Sequence, residues 1–190
     1  LKNIESSKAD NPFGDPSGAG VIYGSSGGVF ESALRTACFK MTGQNLPPES
    51  IKEIRGDNSI KTKEIKIGDR IIKVCVASGL NNARIILDKI KENPALYDAI
   101  EIMACPGGCI AGGGQSMPTN KAITEKRSKS LYNIDKNSNI KCAHENINVD
   151  KVYKNFFINK EVREKILHTN FSKKDKTYIE TIKSSKETNE

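Results

Sequence analysis

The sequence contains no tryptophan, few other aromatic residues and no long apolar run. Aromatic residues make up 6% of the 190 positions, and they do not alternate with basic residues as a base-stacking groove requires. The formal net charge is +7, but Lys and Arg are interleaved with Asp and Glu and never run longer than two. A nucleic-acid partner is therefore not predicted. A membrane span is not predicted either, since no segment approaches the ~20 apolar residues that one needs.

Common metal-binding and nucleotide-binding motifs are also missing. The two histidines, His144 and His168, are isolated, and no second cysteine pair completes a structural zinc site. In Gly18-Ala-Gly-Val-Ile-Tyr-Gly24 the third glycine comes one residue too late for a dinucleotide fingerprint, and no Gly-Lys-Ser/Thr follows. The five cysteines are an odd number, which does not suit a secreted disulfide framework and favours a reducing cytoplasm. Cys38 and Cys75 lie in apolar patterns typical of core residues, and Cys142 has no evident partner.

Hydrophobic periodicity predicts an α/β fold: one lobe with a mainly parallel sheet flanked by helices. Residues 11–28 are interpreted as a glycine-rich loop, and Ser25 or Ser26 is the expected cap of the helix that follows. The strand–helix–strand order after residue 70 predicts a parallel crossover. The strands are expected at 51–55, 60–67, 70–77 and 97–104, and the helices at 27–42 and 81–92.

The pattern changes after Pro118, where short amphipathic segments predict helices around 123–132, 149–157 and 161–168. Residues 172–190 are almost wholly polar, which predicts a disordered tail. The sequence thus suggests a lobe over residues 1–118, a helical segment over 119–171 and the tail. The chain opens Leu1-Lys-Asn-Ile, with neither an initiator methionine nor a signal-peptide pattern, so we expect a truncated or naturally split protein.

Two cysteines stand four residues apart in the run Cys105-Pro-Gly-Gly-Cys109-Ile-Ala-Gly-Gly-Gly-Gln115, directly after the last predicted strand. Ligands of parallel sheets bind beyond the carboxyl ends of the strands, which is where Cys105 is expected. The spacing differs from the C-x-x-C of thioredoxin-like redox pairs. Iron–sulfur ligation explains the glycines better, because a small residue lets backbone N–H groups approach a bulky cluster. However, a cubane cluster needs four cysteines, and this pair supplies two.

Three parts of the sequence resemble the iron-only (diiron) hydrogenases. Residues 101–115 resemble that family's signature E-(V/I)-M-A-C-P-G-G-C-x-x-G-G-G-Q. Residues 17–36, SGAGVIYGSSGGVFESALRT, resemble its S-G-A-G-x-I-F-G-x-T-G-G-V-M-E-A-A-L-R-T. Pieces of residues 130–169, including His144-Glu-Asn146, resemble its C-terminal segment, which is similar to the small subunit. The resemblance spans about residues 11–171.

The resemblance implies a 4Fe–4S cubane joined through one cysteine sulfur to a two-iron centre, together called the H-cluster. Cys105 matches the cysteine that binds only the cubane, and Cys109 matches the one that bridges to the two-iron part. Met103 matches a methionine beside the two-iron site. Tyr23 stands where the family usually has Phe, which adds a hydroxyl to a normally apolar pocket. Close backbone approach to the cofactor is expected at four glycines: Gly20, Gly24, Gly107 and Gly108.

The implied activity is reversible hydrogen oxidation and proton reduction, with ferredoxin or an NAD(P)-linked subunit as redox partner. The 190 residues contain neither of the family's other two signatures, T-S-C-C-P and M-P-C-x-x-K-x-x-E, which supply the remaining cubane ligands and the proton relay. We therefore expect the chain to be inactive without the rest of the catalytic domain. Two alternatives stay open: a cytosolic iron–sulfur assembly factor, which shares part of the signature, and an inactive fragment.

Overall fold

The structure is a computed structural model that describes residues 5–8, 10, 14–55, 59–168 and 170. Its strands are β1 (Ile60–Ile67), β2 (Arg70–Ser78) and β3 (Ala99–Met103). Its α-helices are α1 (Gly18–Val21), α2 (Gly28–Thr42), α3 (Leu80–Glu92), α4 (Lys121–Asn137), α5 (Ile147–Asn155) and α6 (Lys160–Leu167). Short 3₁₀ helices cover Ile22–Gly24, Pro48–Ile54, Cys109–Ala111 and Ala143–Glu145. None of the described helices has both the length and the apolar composition needed to cross a membrane.

The described strands form one sheet in the order β1-β2-β3. β2 and β3 pair in parallel from Val74↔Ala99 to Ser78↔Met103, with α3 between them in sequence, so the α/β fold and its crossover are confirmed. The sheet is nevertheless mixed rather than mainly parallel, because β1 pairs antiparallel with β2. The two-residue connection at Gly68, whose φ of 59° is left-handed, is a hairpin turn and is too short for a parallel crossover.

The hydrophobic core lies on both faces of this sheet. One face packs against α2 and the 3₁₀ helix Pro48–Ile54; on the other, Cys75 and Ala77 pack against Ile86 of α3. Cys38 and Cys75 are core residues, as predicted. The first cluster consists of Leu34, Cys38, Leu46, Ile51, Ile54, Ile65, Ile67, Val74 and Val76.

Two local predictions are wrong. Residues 51–55 do not form a strand: Ile51 and Ile54 are both fully buried on one side of a 3₁₀ helix, because its period of three places residues i and i+3 on the same face. Residues 11–28 are more than a loop, since α1 and the 3₁₀ helix Ile22–Gly24 lie within them; residues 11–13 are outside the described part. Ser17 caps α1, accepting a hydrogen bond from the Gly20 N–H at 3.3 Å.

The predicted serine cap of α2 is also wrong. The N-cap is Gly27, with φ 91°, and it has no side chain to offer. The carboxylate of Glu101 on β3 takes that role: it accepts hydrogen bonds from the N–H groups of Gly27 at 2.6 Å and Phe30 at 2.8 Å. A negative charge at a helix N-terminus satisfies free donors and complements the helix dipole.

The chain divides into two compact units, residues 1–150 and 151–190. α4 belongs to the first unit, where it packs against α1 and against the 3₁₀ helix Ile22–Gly24. In the second unit, the rings of Tyr153 and Phe157 meet edge to face with centroids 5.4 Å apart, and α6 follows. The predicted helices after Pro118 are therefore present as α4, α5 and α6, whereas the predicted tail at 172–190 lies outside the described residues.

Candidate functional site

The loop that carries Cys105 and Cys109 begins where the two parallel strands end. Ser78, the last residue of β2, holds the loop in place: its hydroxyl accepts from the Gly107 N–H at 2.6 Å and donates to the Cys105 carbonyl at 3.3 Å. Cys105 is half-buried and Cys109 is exposed, and neither is in a disulfide. The cysteine pair thus lies at the carboxyl end of parallel strands, as the sequence predicts.

Glycine is required at residue 108 because another segment passes against it. A Cβ atom at Gly108 would lie 2.7 Å from both the Gly24 carbonyl oxygen and the Ser26 nitrogen, and its φ of 96° is left-handed. The Ser26 N–H donates to the Gly107 carbonyl at 3.2 Å. The backbones of the two glycine-rich segments, about 80 residues apart in sequence, therefore pack directly against each other.

Of the other predicted site residues, Met103 lies at this contact, and Tyr23 and Gly20 come shortly before it in the first glycine-rich segment. A Cβ at Gly108 would lie 3.1 Å from the sulfur of Met103, so Met103 borders the junction of the two segments. Tyr23 precedes Gly24 and is 47% exposed. Gly20 is one turn earlier, and the nearest described atom to a Cβ there would be the Ser17 Oγ at 3.8 Å, so no part of the described chain crowds it.

Helix α4 supports both glycine-rich segments. The Arg127 guanidinium donates to the carbonyls of Ile110 at 2.8 Å and Ser116 at 2.7 Å, which anchors the cysteine loop. The hydroxyls of Ser128 and Ser25 are 2.9 Å apart and share a hydrogen bond. Sequence reasoning missed Arg127, because an arginine on an amphipathic helix ordinarily faces solvent and nothing in its spacing marks it as different.

A cluster of buried charges joins α2 to α4 behind the loop. Arg35 makes a bidentate ion pair with Asp135 at 2.9 and 2.7 Å, and Glu31, fully buried, accepts from both Arg35 and Arg55. Burial opposes the charge of Arg35, but its hydrogen bonds and its attraction to Asp135 and Glu31 outweigh burial and raise its pKa. The guanidinium of Arg55 lies 4.5 Å above the ring centre of Tyr132, whose pKa is raised chiefly by burial.

A cavity of about 950 Å³ lies beside this charged cluster. It is lined by Gly107 and Ile110 from the back of the cysteine loop, but by neither Cys105 nor Cys109. The two thiols are therefore not part of the lining of this cavity.

The residues present fit half of an iron–sulfur site. A Cβ at Gly112 would lie 3.0 Å from the sulfur of Cys105, so the chain brings bare backbone up to one thiol, as cluster sites do. The second thiol, Cys109, is open to solvent. Cys38, Cys75 and Cys142 are buried in the core, so this loop offers two of the four thiolates that a cubane needs.

Two family profiles together cover most of the sequence. The family described as iron only hydrogenase large subunit, C-terminal domain, matches residues 1–113, and the iron hydrogenase small subunit family matches residues 121–174. The first match alone covers more than half of the chain.

Individual relatives agree with these profiles. The NADP-reducing hydrogenase subunit HndD of Solidesulfovibrio fructosivorans is 37% identical over 88% of this chain and 29% of its own length. Iron hydrogenase 1 of Clostridium pasteurianum is 39% identical over 81% of this chain and 28% of its own. A solved variant of the FeFe-hydrogenase HydA1 from Chlamydomonas reinhardtii superimposes with a TM-score of 0.63 at 36% identity, over 89% of this chain and 50% of that one. The chain spans less than a third of the length of these two curated relatives.

A second class of protein is also similar. A probable cytosolic Fe–S cluster assembly factor of Aedes aegypti is 29% identical over 93% of this chain and 38% of its own length. The extent of the match therefore does not separate the two classes, although the identity is higher for the hydrogenases. Both classes imply iron–sulfur chemistry. From its family profile, its relatives and its fold, the chain belongs to the C-terminal domain family of the iron-only hydrogenase large subunit.

Proposed function

We propose that this chain is part of the catalytic domain of an iron-only hydrogenase, and that Cys105 and Cys109 are two of the four thiolates that hold its cubane 4Fe–4S cluster. One observation carries the proposal. The cysteine loop stands at the carboxyl end of the parallel strands and is locked against the segment 18–28 through Gly108, while its two thiols stay outside the core. A rigid loop with accessible thiols is the arrangement that metal ligation needs.

The family resemblance gives each residue a role, and the place of each residue is compatible with it. Cys105, half-buried beside Gly112, would hold the cubane alone; Cys109, the more exposed thiol, would also bridge to the two-iron centre. When bound, that cofactor would supply the electron transfer and the site at which protons and hydrogen interconvert. Met103 and Tyr23 would cover its two-iron side and reduce water access, and the Tyr23 hydroxyl would offer a hydrogen bond there. The bare backbone at Gly20, Gly24, Gly107 and Gly108 would let N–H groups approach it.

The chain would work only together with the remaining part of a catalytic domain. Two thiolates hold a cubane weakly, since ligand-deficient sites leave iron open to exchange. The other two thiolates and the proton relay would come from a polypeptide segment that carries the two signatures absent from these 190 residues. The assembled enzyme would work in the cytoplasm. The redox partner would be ferredoxin or an NAD(P)-linked subunit. The name of the relative HndD, a subunit of an NADP-reducing hydrogenase, supports the NAD(P)-linked choice.

The test is anaerobic reconstitution followed by hydrogen evolution from reduced methyl viologen. The 190-residue chain should bind iron substoichiometrically and evolve no hydrogen. A longer polypeptide, extended upstream through both missing signatures and matured with its two-iron centre, should turn over. In that polypeptide Cys109→Ala should abolish turnover, whereas Cys105→Ser should retain a weakened cluster. The matched control is Cys38→Ala, which removes a buried core thiol that is not part of the loop and should leave turnover in place. Turnover by the 190 residues alone, or full turnover with Cys109→Ala, contradicts the proposal.

The second candidate function is iron–sulfur cluster assembly, favoured by the 93% coverage of the mosquito relative. An assembly factor would bind a cluster through the same cysteines but evolve no hydrogen, even in the extended polypeptide. Iron bound through Cys105 and Cys109, together with absence of turnover in every form of the matured, extended polypeptide, would support it over a hydrogenase.

A further inference from the structure

The turn Cys142-Ala-His-Glu145 gathers three side chains that the sequence pattern alone leaves apart. The Cys142 sulfur, a ring nitrogen of His144 and a carboxylate oxygen of Glu145 all lie within 4.8 Å of one another. Within the first unit they belong to the 3₁₀ helix Ala143–Glu145 and its N-cap, and none of them is part of the cysteine loop. A 3₁₀ turn brings residues i and i+3 to the same side, which explains why Cys142 and Glu145 meet.

The turn is already held in shape by its own hydrogen bonds. One oxygen of Glu145 accepts from the N–H groups of Lys141 at 2.8 Å and Cys142 at 3.0 Å, and the Cys142 sulfur accepts from the Glu145 N–H. The other carboxylate oxygen accepts from the Asn45 side chain at 3.1 Å. Each carboxylate oxygen has two lone pairs, so the first oxygen is filled by its two donors and the second keeps acceptor capacity for a cation.

The histidine is oriented from outside the turn. Its Nδ1 lies 3.3 Å from the Thr36 hydroxyl and its Nε2 lies 3.1 Å from Oδ1 of the Asn45 side chain. The ring stacks on Phe39 with centroids 4.2 Å apart and planes 12° from parallel. A histidine that binds metal has one nitrogen on the ion and the other bonded to a neighbouring oxygen, so an ion here would take the place of either the Thr36 or the Asn45 partner while the other keeps the ring oriented.

The ligand set suits one class of ion. Thiolate, imidazole and carboxylate are the three donors that zinc uses in proteins, and the two anionic donors balance a charge of +2. Zinc bonds of about 2.0 to 2.3 Å place tetrahedral ligands roughly 3.3 to 3.8 Å apart, so a side-chain adjustment of about 1 Å suffices. Cys142 is buried at 4% exposure while Glu145 is exposed, so the three donors lie at the boundary between the core and solvent.

We propose that Cys142, His144 and Glu145 form a binding site for a zinc-class divalent cation, with one coordination position left to water. Binding moves the Cys142 thiol proton to solvent and forms one metal–sulfur bond, with no change in oxidation state. The site is independent of the iron–sulfur chemistry proposed for Cys105 and Cys109. If the turn is only a hydrogen-bonded helix cap, the same three residues will bind no metal.

The test uses the 190-residue chain with Cys105→Ser and Cys109→Ser, which removes the thiols of the other loop. Titration with Co²⁺ under anaerobic conditions should give a thiolate-to-cobalt charge-transfer band and the visible bands of four-coordinate cobalt, and Zn²⁺ should displace both. Adding Cys142→Ser should remove the charge-transfer band, and His144→Gln and Glu145→Gln should each weaken binding by about 10-fold to 100-fold or more.

The matched control is Cys38→Ser, a second buried thiol, which should leave the cobalt spectrum unchanged. Circular dichroism of each variant separates loss of a ligand from loss of the fold. His144 and Glu145 are less buried than Cys142, so their variants test the site even if Cys142→Ser fails to fold. Absence of the charge-transfer band in the parent chain overturns the proposal. So does a band that survives Cys142→Ser, or cobalt affinity that is unchanged in both His144→Gln and Glu145→Gln.

Discussion

Glu101 should contribute more to stability than any surface carboxylate, because it fastens the start of the cysteine motif to the N-terminus of α2. Its two oxygens accept hydrogen bonds from the Gly27 and Phe30 N–H groups at 2.6 and 2.8 Å, and the residue is only 8% exposed. Glu101→Gln keeps one oxygen but turns an NH₂ group toward the other donor. A buried hydrogen bond to a charged group contributes about 1.5 to 3 kcal/mol, and the helix dipole adds about 0.3 to 1 kcal/mol. We expect a loss of about 2 to 4 kcal/mol.

The assay is equilibrium urea unfolding followed by far-ultraviolet circular dichroism, since the chain has no tryptophan to report by fluorescence. Glu64→Gln is the matched control: that carboxylate lies on β1 of the same sheet, its side chain is 63% exposed, and Lys73 is 3.9 Å away. An exposed pair of this kind contributes about 0 to 1 kcal/mol. If Glu101→Gln unfolds with a free energy no lower than that of Glu64→Gln, the cap does not hold the two segments together and the reasoning fails.

Three further predictions can be checked on the same chain. Gly108→Ala, whose Cβ would meet backbone at 2.7 Å, should lower the free energy of unfolding by about 1 to 3 kcal/mol or more, whereas Gly113→Ala, with nothing within 4 Å, should be nearly neutral in urea unfolding. Asp135→Asn should lower the free energy of unfolding by about 3 to 5 kcal/mol, because the buried guanidinium of Arg35 loses one of its carboxylate partners. The exposed Glu125→Gln should have little effect, and thermal unfolding of both variants gives the comparison. Burial raises the pKa of the Cys75 thiol above 9.0, so the unfolded chain loses that proton first and stability should fall as pH rises past 9; Cys75→Ala should flatten this slope in urea titrations at stepped pH. An equal slope in both proteins would show that Cys75 is not the group responsible.

Patterns confined to one segment predicted the fold well. α2 and α3 follow from apolar spacing, and β2 and β3 follow from β-branched runs, so the crossover that positions Cys105 was predictable. The strand predicted at 51–55 was wrong because two isoleucines, Ile51 and Ile54, within five residues are too few to distinguish a 3₁₀ helix from a strand. Local patterns carry no information about partners that are distant in sequence.

The site shows the same limit. The cysteines and glycines were found because they lie within two continuous motifs that resemble a known family. The cap from Glu101 joins residues more than 70 positions apart, and Arg127 reaches the loop from another helix, so neither contact leaves a trace in local spacing. Cys142 and His144 are close in sequence, yet only the turn geometry shows that a sulfur and a ring nitrogen face each other.

The contact between the two glycine-rich segments also determines when the cysteine loop becomes ordered. Glu101, Ser78 and the Gly108 backbone hold the loop through contacts between protein atoms, and hydrogen bonds of this kind need no iron to form. Small zinc domains behave in the opposite way, because their binding free energy is their folding free energy. In this chain we expect the loop to take its shape before a cluster binds. An iron–sulfur cluster delivered afterwards would meet thiols with little entropy left to lose, and could be removed and replaced without unfolding its host.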